Sequence, residues 1–283
     1  MSSTTGYGGA ARWNGPSGQA WVQLQSLMDG MYRPLEELLV GTVDPGRRSV
    51  LDVGCGTGVT TVAVAERLAP GRRCVGVDIS ASMIAAAEAR GAGAGAEFLC
   101  ADVQEHQWAA DSFDTVISRF GVMFFDDPVR AFSNLRRAAT PDADLTFVAW
   151  RAIEENPFMT VAERAAAPLL PNLPPRRVEG PGQFAFADAT KVRTILDAAG
   201  WAGITIDPVD IECTFPESDL VGYFTRLGPV GLALPDAGDP IRTKVVDAVR
   251  PAFAPYVKGS DVRFTAACWL VRAQASAPSA TGL

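Results

Sequence analysis

The chain has 283 residues, 48% hydrophobic and 20% charged, a composition able to bury a real core as one large domain or one domain with a cap. Its 25 Lys and Arg against 32 Asp and Glu give a net charge of −7, which excludes the basic footprint of a general nucleic-acid or anionic-membrane binder. A single histidine and five scattered cysteines, with no Cys-x-x-Cys pair, exclude a histidine-rich metal centre, a zinc site and a disulfide framework, so no metal is expected.

Met1 to Ala11 is Ser/Thr/Gly-rich without the apolar stretch of a secretory signal, and no apolar run approaches the roughly 18 residues of a membrane span, so the cytoplasm is the expected compartment. Gln19 to Val40 carries apolar residues at helical spacing and is predicted as a helix or helix pair broken at Pro34. Ser49–Val53 is a short apolar run ending at glycines, followed by a helical pattern over Thr60–Leu68. Cys74–Asp78 is a second run ending at an acid, and Ser80 is placed to cap a helix over Ala81–Arg90. Strands are predicted at Ala96–Cys100, Thr115–Ser118 and Leu145–Trp150, with a helix over Val129–Ala139 opened by an Asp127 cap and Pro128.

After Trp150 the rhythm breaks. The stretch 151–187 is rich in proline, with one helix expected near Met159–Ala167. Thr190–Ala199 reads as a helix stopped at Gly200, Ile204–Cys213 as an edge strand because it contains Pro208, and Val262–Ala273 as the closing strand. The near-continuous apolar runs suit strands buried on both faces, and their alternation with helices gives an α/β class: a doubly wound, Rossmann-like, mostly parallel seven-stranded sheet with helical lid insertions. The expected division is an N-terminal helical lid (1–40), a core (41–150), lid insertions (151–187 and 214–259), and segments completing the sheet (188–213 and 260–275).

Asp52-Val53-Gly54-Cys55-Gly56-Thr57-Gly58 lies between a strand and a helix, where tight turning and close ligand approach require residues without a Cβ. Asp78 ends the next strand at about the separation of an acid that grips ribose hydroxyls. The third glycine falls one place early for the Gly-x-Gly-x-x-Gly fingerprint of dinucleotide folds, and the spacing fits an adenosyl ligand without a pyrophosphate. Asp102 ends the third strand, so Asp52, Asp78 and Asp102 align on the carboxyl edge where open α/β sheets bind ligands. Phe120 and Met123 follow the fourth strand there and are candidate pocket residues, while Arg119 is expected to pair with Asp126 or Asp127. His106 is the sole histidine available as a base near that edge, and Cys55 reads as a small loop residue.

The runs LDVGCGTG, GVDIS, CADV and FDTVISRFGVMFF resemble class I S-adenosylmethionine-dependent methyltransferases, in the small-molecule branch related to quinone-biosynthesis and natural-product enzymes. The resemblance is strong over about 45–150, and WNGPSGQAW, ENPFMT and AFAD look like one bacterial subgroup. It implies S-adenosyl-L-methionine as cofactor, bound by Asp52, Gly54, Cys55, Gly56, Thr57, Gly58, Asp78, Ile79, Met83, Asp102, Val103 and Ser118. Tyr7 and His106 are its candidate catalytic residues; Trp13, Phe120, Met123 and Asn156 are expected to line the acceptor site. The family often has Pro-Gly-Gly before strand five, where this chain has Pro141-Asp142-Ala143-Asp144. The expected reaction is methyl transfer to a small aromatic or natural-product acceptor at carbon, nitrogen or oxygen, with no nucleic acid or membrane as partner and a homodimer as one assembly. A cofactor-binding protein without turnover and a macromolecule methyltransferase are the alternatives; the Asp/Asn-Pro-Pro-Tyr/Phe pattern of DNA amino-methylating enzymes is replaced here by Ser118-Arg119-Phe120-Gly121.

Overall fold

The computed structural model describes residues 9–174, 176 and 180–275. The chain opens with helices α1 (Gly9–Trp13), α2 (Pro16–Gln23) and α3 (Gln25–Gly41), before strand β1 (Ser49–Val53) begins the sheet. Then follow α4 (Val59–Arg67), β2 (Arg73–Asp78), α5 (Ala81–Gly91), β3 (Ala96–Cys100), β4 (Phe113–Arg119), α6 (Pro128–Ala138) and β5 (Ala139–Trp150). The second half contains α7 (Val161–Ala166), α8 (Ala189–Ala198), β6 (Trp201–Pro216), α9 (Leu220–Arg226), α10 (Gly228–Ala233), α11 (Asp239–Ala252), β7 (Val257–Lys258) and β8 (Asp261–Ala275).

One sheet runs in the order β3-β2-β1-β4-β5-β8-β6, with the two-residue β7 paired to β8 beside this path. The seven strands expected from the sequence form this path. The first five pair in parallel, and β8 runs antiparallel to both β5 and β6. Chain order reverses direction between β1 and β4, so the glycine loop after β1 and the turn after β4 meet at the topological switch point, where such sheets bind ligands. Pro208 sits in β6, the terminal strand, where a missing N–H costs no ladder bond on the open side.

Pro34 does not break the N-terminal helix: α3 runs through it, and the chain instead bends between α2 and α3 at Leu24. An interior proline costs about 3 kcal/mol. Against this, α3 buries Met28, Met31, Tyr32, Leu35 and Leu39, each worth roughly 1.5–3 kcal/mol. Packing therefore outweighs the breaker, helped by Gly30 at the position whose carbonyl the proline ring crowds. Strand β5 begins at Ala139 rather than Leu145, carrying Pro141-Asp142 through a register shift against β4. The helix expected at Met159–Ala167 is split into a 3-10 turn over Pro157–Thr160 and the short α7.

Candidate active site at the switch point

Gly54 and Gly58 shape the loop after β1. Gly54 has φ +67°, and a Cβ there would lie 2.6 Å from the Cα of Gly121; Gly58 has φ +82° and would press a Cβ into Ala87 and Phe98 at 2.8 Å. Glycine is thus required for backbone conformation and for close packing together. The loop amides are already engaged: Gly54 and Cys55 donate to the Val77 carbonyl, Gly56 to the Asp78 carboxylate at 3.0 Å, and Gly58 to the Cys55 carbonyl. These donors are not available to cradle a pyrophosphate as in a dinucleotide site, in keeping with the spacing of the motif.

The residues present fit an adenosyl ligand. Each oxygen of Asp78 accepts one backbone N–H, from Gly56 and Ser80, which leaves lone pairs for two ribose hydroxyls. Burial raises the Asp78 carboxyl above its ordinary value, against the pull of those N–H groups. A Cβ on Gly56 would meet only the Met83 sulfur, 3.9 Å away, so the backbone there is open to a ligand, with Met83 below it. Ile79 follows Asp78 half-buried, and Asp102 accepts from the amide and side chain of Gln104 at the next strand end. Val103 is buried, its carbonyl held by Asn134.

A cleft beside the loop is lined by Gly54, Cys55, Gly56, Thr57, Thr60 and Asp52 on one side, by Trp21, Gln25, Met28, Asp29 and Tyr32 from the N-terminal helices, and by Arg119 and Phe120. Asp52 is buried and accepts from Thr61 Oγ1 at 2.7 Å; desolvation pushes its carboxyl up to about 6, opposed by that bond and by the Arg119 charge. Burial likewise drives the Cys55 thiol upward, so it is no nucleophile. Phe120 has φ +69° and stacks on Trp150 at 4.4 Å, with Tyr32 edge-on to both. Asp29 binds Arg90 at 2.6 Å, and Arg90 in turn donates to the Thr57 carbonyl at 2.8 Å, which ties α3, α5 and the glycine loop together.

Several expected site residues have other positions. Ser118 is fully buried, donating to the Val53 carbonyl and accepting from the Val122 amide; it braces the loop rather than facing a ligand. Met123 is 1% exposed with its sulfur against the Trp150 amide, and the amide group of Asn156 is consumed by Ala267 and Ala152, so neither lines the cleft. His106 packs on Trp108 at 4.3 Å and lines a different cavity of about 300 Å³ with Arg73, Glu97 and Phe113, so it is not brought to the glycine loop. Arg119 lines the cleft in place of the expected ion pair with Asp126 or Asp127. Trp13 packs edge-on to Trp21 and Phe124, and Tyr7 lies outside the described residues. Gln25, Met28, Asp29 and Tyr32 were not foreseen; their helical spacing, continued by Glu36, is the signal that one face of α3 is shared between core and cleft.

Residues 51–147 match the family model described as a methyltransferase domain. The chain is 29% identical over 206 residues to nocamycin O-methyltransferase of Saccharothrix syringae, covering 68% of this chain and 73% of that protein. The chain is an S-adenosylmethionine-dependent methyltransferase. It is also 26% identical to the demethylmenaquinone methyltransferase of Renibacterium salmoninarum, over 62% of this chain and 76% of that one. Uncharacterised mycobacterial relatives, 33% identical, are matched over only 45% or 56% of their own length. The fold is shared with an Aquifex aeolicus SAM-dependent methyltransferase of 15% identity, TM-score 0.52, covering 92% of this methyltransferase and 98% of the other.

Proposed function

We propose that this methyltransferase transfers the methyl group to a small-molecule acceptor, of aromatic or natural-product type, seated between α3 and the turn after β4. The observation that carries this reading is the cleft itself: it adjoins the glycine loop, is walled by Trp21, Tyr32 and Phe120, and is covered by the N-terminal helices. Relatives acting on nocamycin and on demethylmenaquinone favour a small acceptor of secondary or quinone metabolism. No helix among the described residues is long and apolar enough to cross a membrane, and we place the reaction in the cytoplasm.

The bound cofactor supplies a sulfonium methyl that is already electrophilic, so the protein's task is to hold a nucleophile in line with it. Asp78 grips the ribose, Met83 and Ile79 hold the adenine side, and Asp102 takes the adenine edge. Gly54, Gly56 and Thr57 border the amino-acid end, where Asp52 offers a carboxylate to an ammonium group. The aromatic faces of Phe120 and Tyr32 stabilise positive charge at about 0.5–2 kcal/mol per contact. The titratable liners offer no strong neutral base: burial raises Tyr32 and Cys55 well above their ordinary values, and Asp52 is held by Thr61. This supports an acceptor that reacts as an anion, an amine or an electron-rich carbon. Thermal melting decides the cofactor half: S-adenosylhomocysteine should raise Tm by mass action and NAD should not. A shift with NAD alone overturns the reading; turnover of radiolabelled methyl into extracted small molecules tests the acceptor half.

A further inference from the structure

The cleft is lined by a cation, Arg119, one of whose donor nitrogens is left open. Nη1 of Arg119 is buried and has no hydrogen-bond partner among the described residues. Arg119 is the last residue of β4, and it lines the same cleft as the next residue, Phe120. Successive residues of an extended strand point to opposite faces, so this requires a backbone reversal, and Phe120 supplies it with its left-handed φ of +69°. The reversal aims a guanidinium and an aromatic ring into one space. Three neighbouring elements feel the charge: Asp52 on β1, Glu36 and Tyr32 on α3, and Cys213 on β6. Of the two acids, Asp52 is bound to Thr61, and burial disfavours the charged form of both. A half-buried guanidinium with a buried nitrogen left open is completed by a planar oxyanion, which it meets with charge-assisted bonds.

We propose that Arg119 seats an anionic oxygen, carboxylate or enolate, of a ligand in this cleft. The proposal rests on the methyltransferase reading for what the ligand is, and on the open guanidinium nitrogen for its charge. Two sources share the chemistry: the acceptor, and the amino-acid end of the cofactor. Arg119 lines the cleft with Tyr32 and Phe120, a wall to which Asp78 of the adenosine side does not belong, and this favours the acceptor. Where that oxygen is the acceptor's nucleophile, its lone pair forms the new C–O bond to the methyl carbon as the C–S bond breaks and its electron pair stays on sulfur. Anion and sulfonium become a neutral ester or enol ether and a neutral thioether. No proton has to be removed, which suits a cleft without a strong base.

The test uses the full chain, wild type and the Arg119→Gln and Arg119→Met variants. Each is titrated calorimetrically with S-adenosylhomocysteine and with 5′-methylthioadenosine, which lacks the amino-acid end. Crystals of the S-adenosylhomocysteine complex are soaked in sodium bromide, whose anion is located by anomalous scattering. An acceptor seat gives bromide on Arg119 beside bound S-adenosylhomocysteine, absent in Arg119→Gln, with S-adenosylhomocysteine affinity changed less than threefold. A cofactor seat gives the ligand's own carboxylate on Arg119, with at least a tenfold loss of S-adenosylhomocysteine affinity in Arg119→Gln and none for 5′-methylthioadenosine. Both outcomes support the proposal. Neither anion at Arg119, with both affinities unchanged, overturns it. So does a fall of several degrees in the ligand-free Tm of Arg119→Met, because a cation whose buried donor is left open should be replaceable at no cost to the fold. Binding of S-adenosylhomocysteine by the wild type checks the methyltransferase reading separately.

Discussion

Asp52 and Asp78 are both acids at strand ends beside the glycine loop, yet their surroundings give them different duties. Asp78 is half-buried and keeps free lone pairs, so its removal takes away charge-assisted bonds to a ribose worth about 1.5–3 kcal/mol each. Asp78→Ala should weaken S-adenosylhomocysteine at least tenfold while the circular dichroism of the folded protein is retained; unchanged affinity would assign the residue to the loop alone. Asp52 is 1% exposed, and its carboxyl is raised from 3.8 to about 6 by desolvation. The sign follows from linkage: its stabilising contribution is complete below about pH 4, where the group is protonated in both states, and is lost as pH rises through about 6. A displacement of that size corresponds to on the order of 3 kcal/mol. Asp52→Asn, which keeps an acceptor for Thr61, should therefore raise the ligand-free Tm at pH 7.5 relative to wild type and leave it little changed at pH 4, provided the fold survives there. Equal effects at both pH values would show that Asp52 is ionised at no cost.

At the scale of elements, the hinge between α1 and α2 is pinned to the cofactor side of the sheet. Asn14 donates to the Ile79 carbonyl and accepts from the Ala81 amide, while Ser80 Oγ donates to the Trp13 carbonyl. Gly18 packs so closely that a Cβ would lie 1.9 Å from that same carbonyl. The N-terminal helices thus rest directly on the residues after Asp78, and α3 supplies Gln25, Asp29 and Tyr32 to the cleft. Asn14→Ala removes three exposed bonds, those to Ile79 and Ala81 and one to the Ala10 carbonyl of α1, on the order of 1 kcal/mol each at most. Protease should then cut the first 20 residues several-fold faster, with S-adenosylhomocysteine restoring part of the protection; cleavage at the wild-type rate would mean that the pin is ornamental. The sheet and glycine loop were legible in the sequence because runs such as Leu51–Val53 and glycines at Gly54 and Gly58 answer to local rules. Pro34 misled because burial of Tyr32 and Leu35 is a tertiary gain that no local rule contains. The same applies to Tyr32 itself, and to Asn156 and Met123. An apolar or amide side chain looks alike in sequence whether it faces a ligand or a neighbouring strand.

For the molecule as a whole, the insertions after β5 and β6 converge on one ring. Phe158 stacks on Phe264 of β8 at 4.0 Å and meets Phe215, Tyr223, Phe253 and Tyr256 within about 6 Å, so 151–187 and 214–259 are joined to the sheet through a shared aromatic core. Trp201 and Trp269 add ties from the closing strands, donating to the carbonyls of Phe132 and Ala187. With the core continuous in this way, the chain should melt in a single transition that S-adenosylhomocysteine shifts as one. Phe158→Ala opens a cavity at the hub and should cost about 3–5 kcal/mol, read as a lower Tm and denaturation midpoint. Because Phe158 lies beyond β5 and the cleft is built from β1, β4 and the N-terminal helices, the surviving folded protein should bind S-adenosylhomocysteine within about threefold of wild type. If the variant instead melted in two steps, with the glycine-loop half unaffected, the insertions would be a separate cooperative unit. If its affinity fell tenfold at unchanged Tm, the ring would belong to the cofactor site and not to the fold.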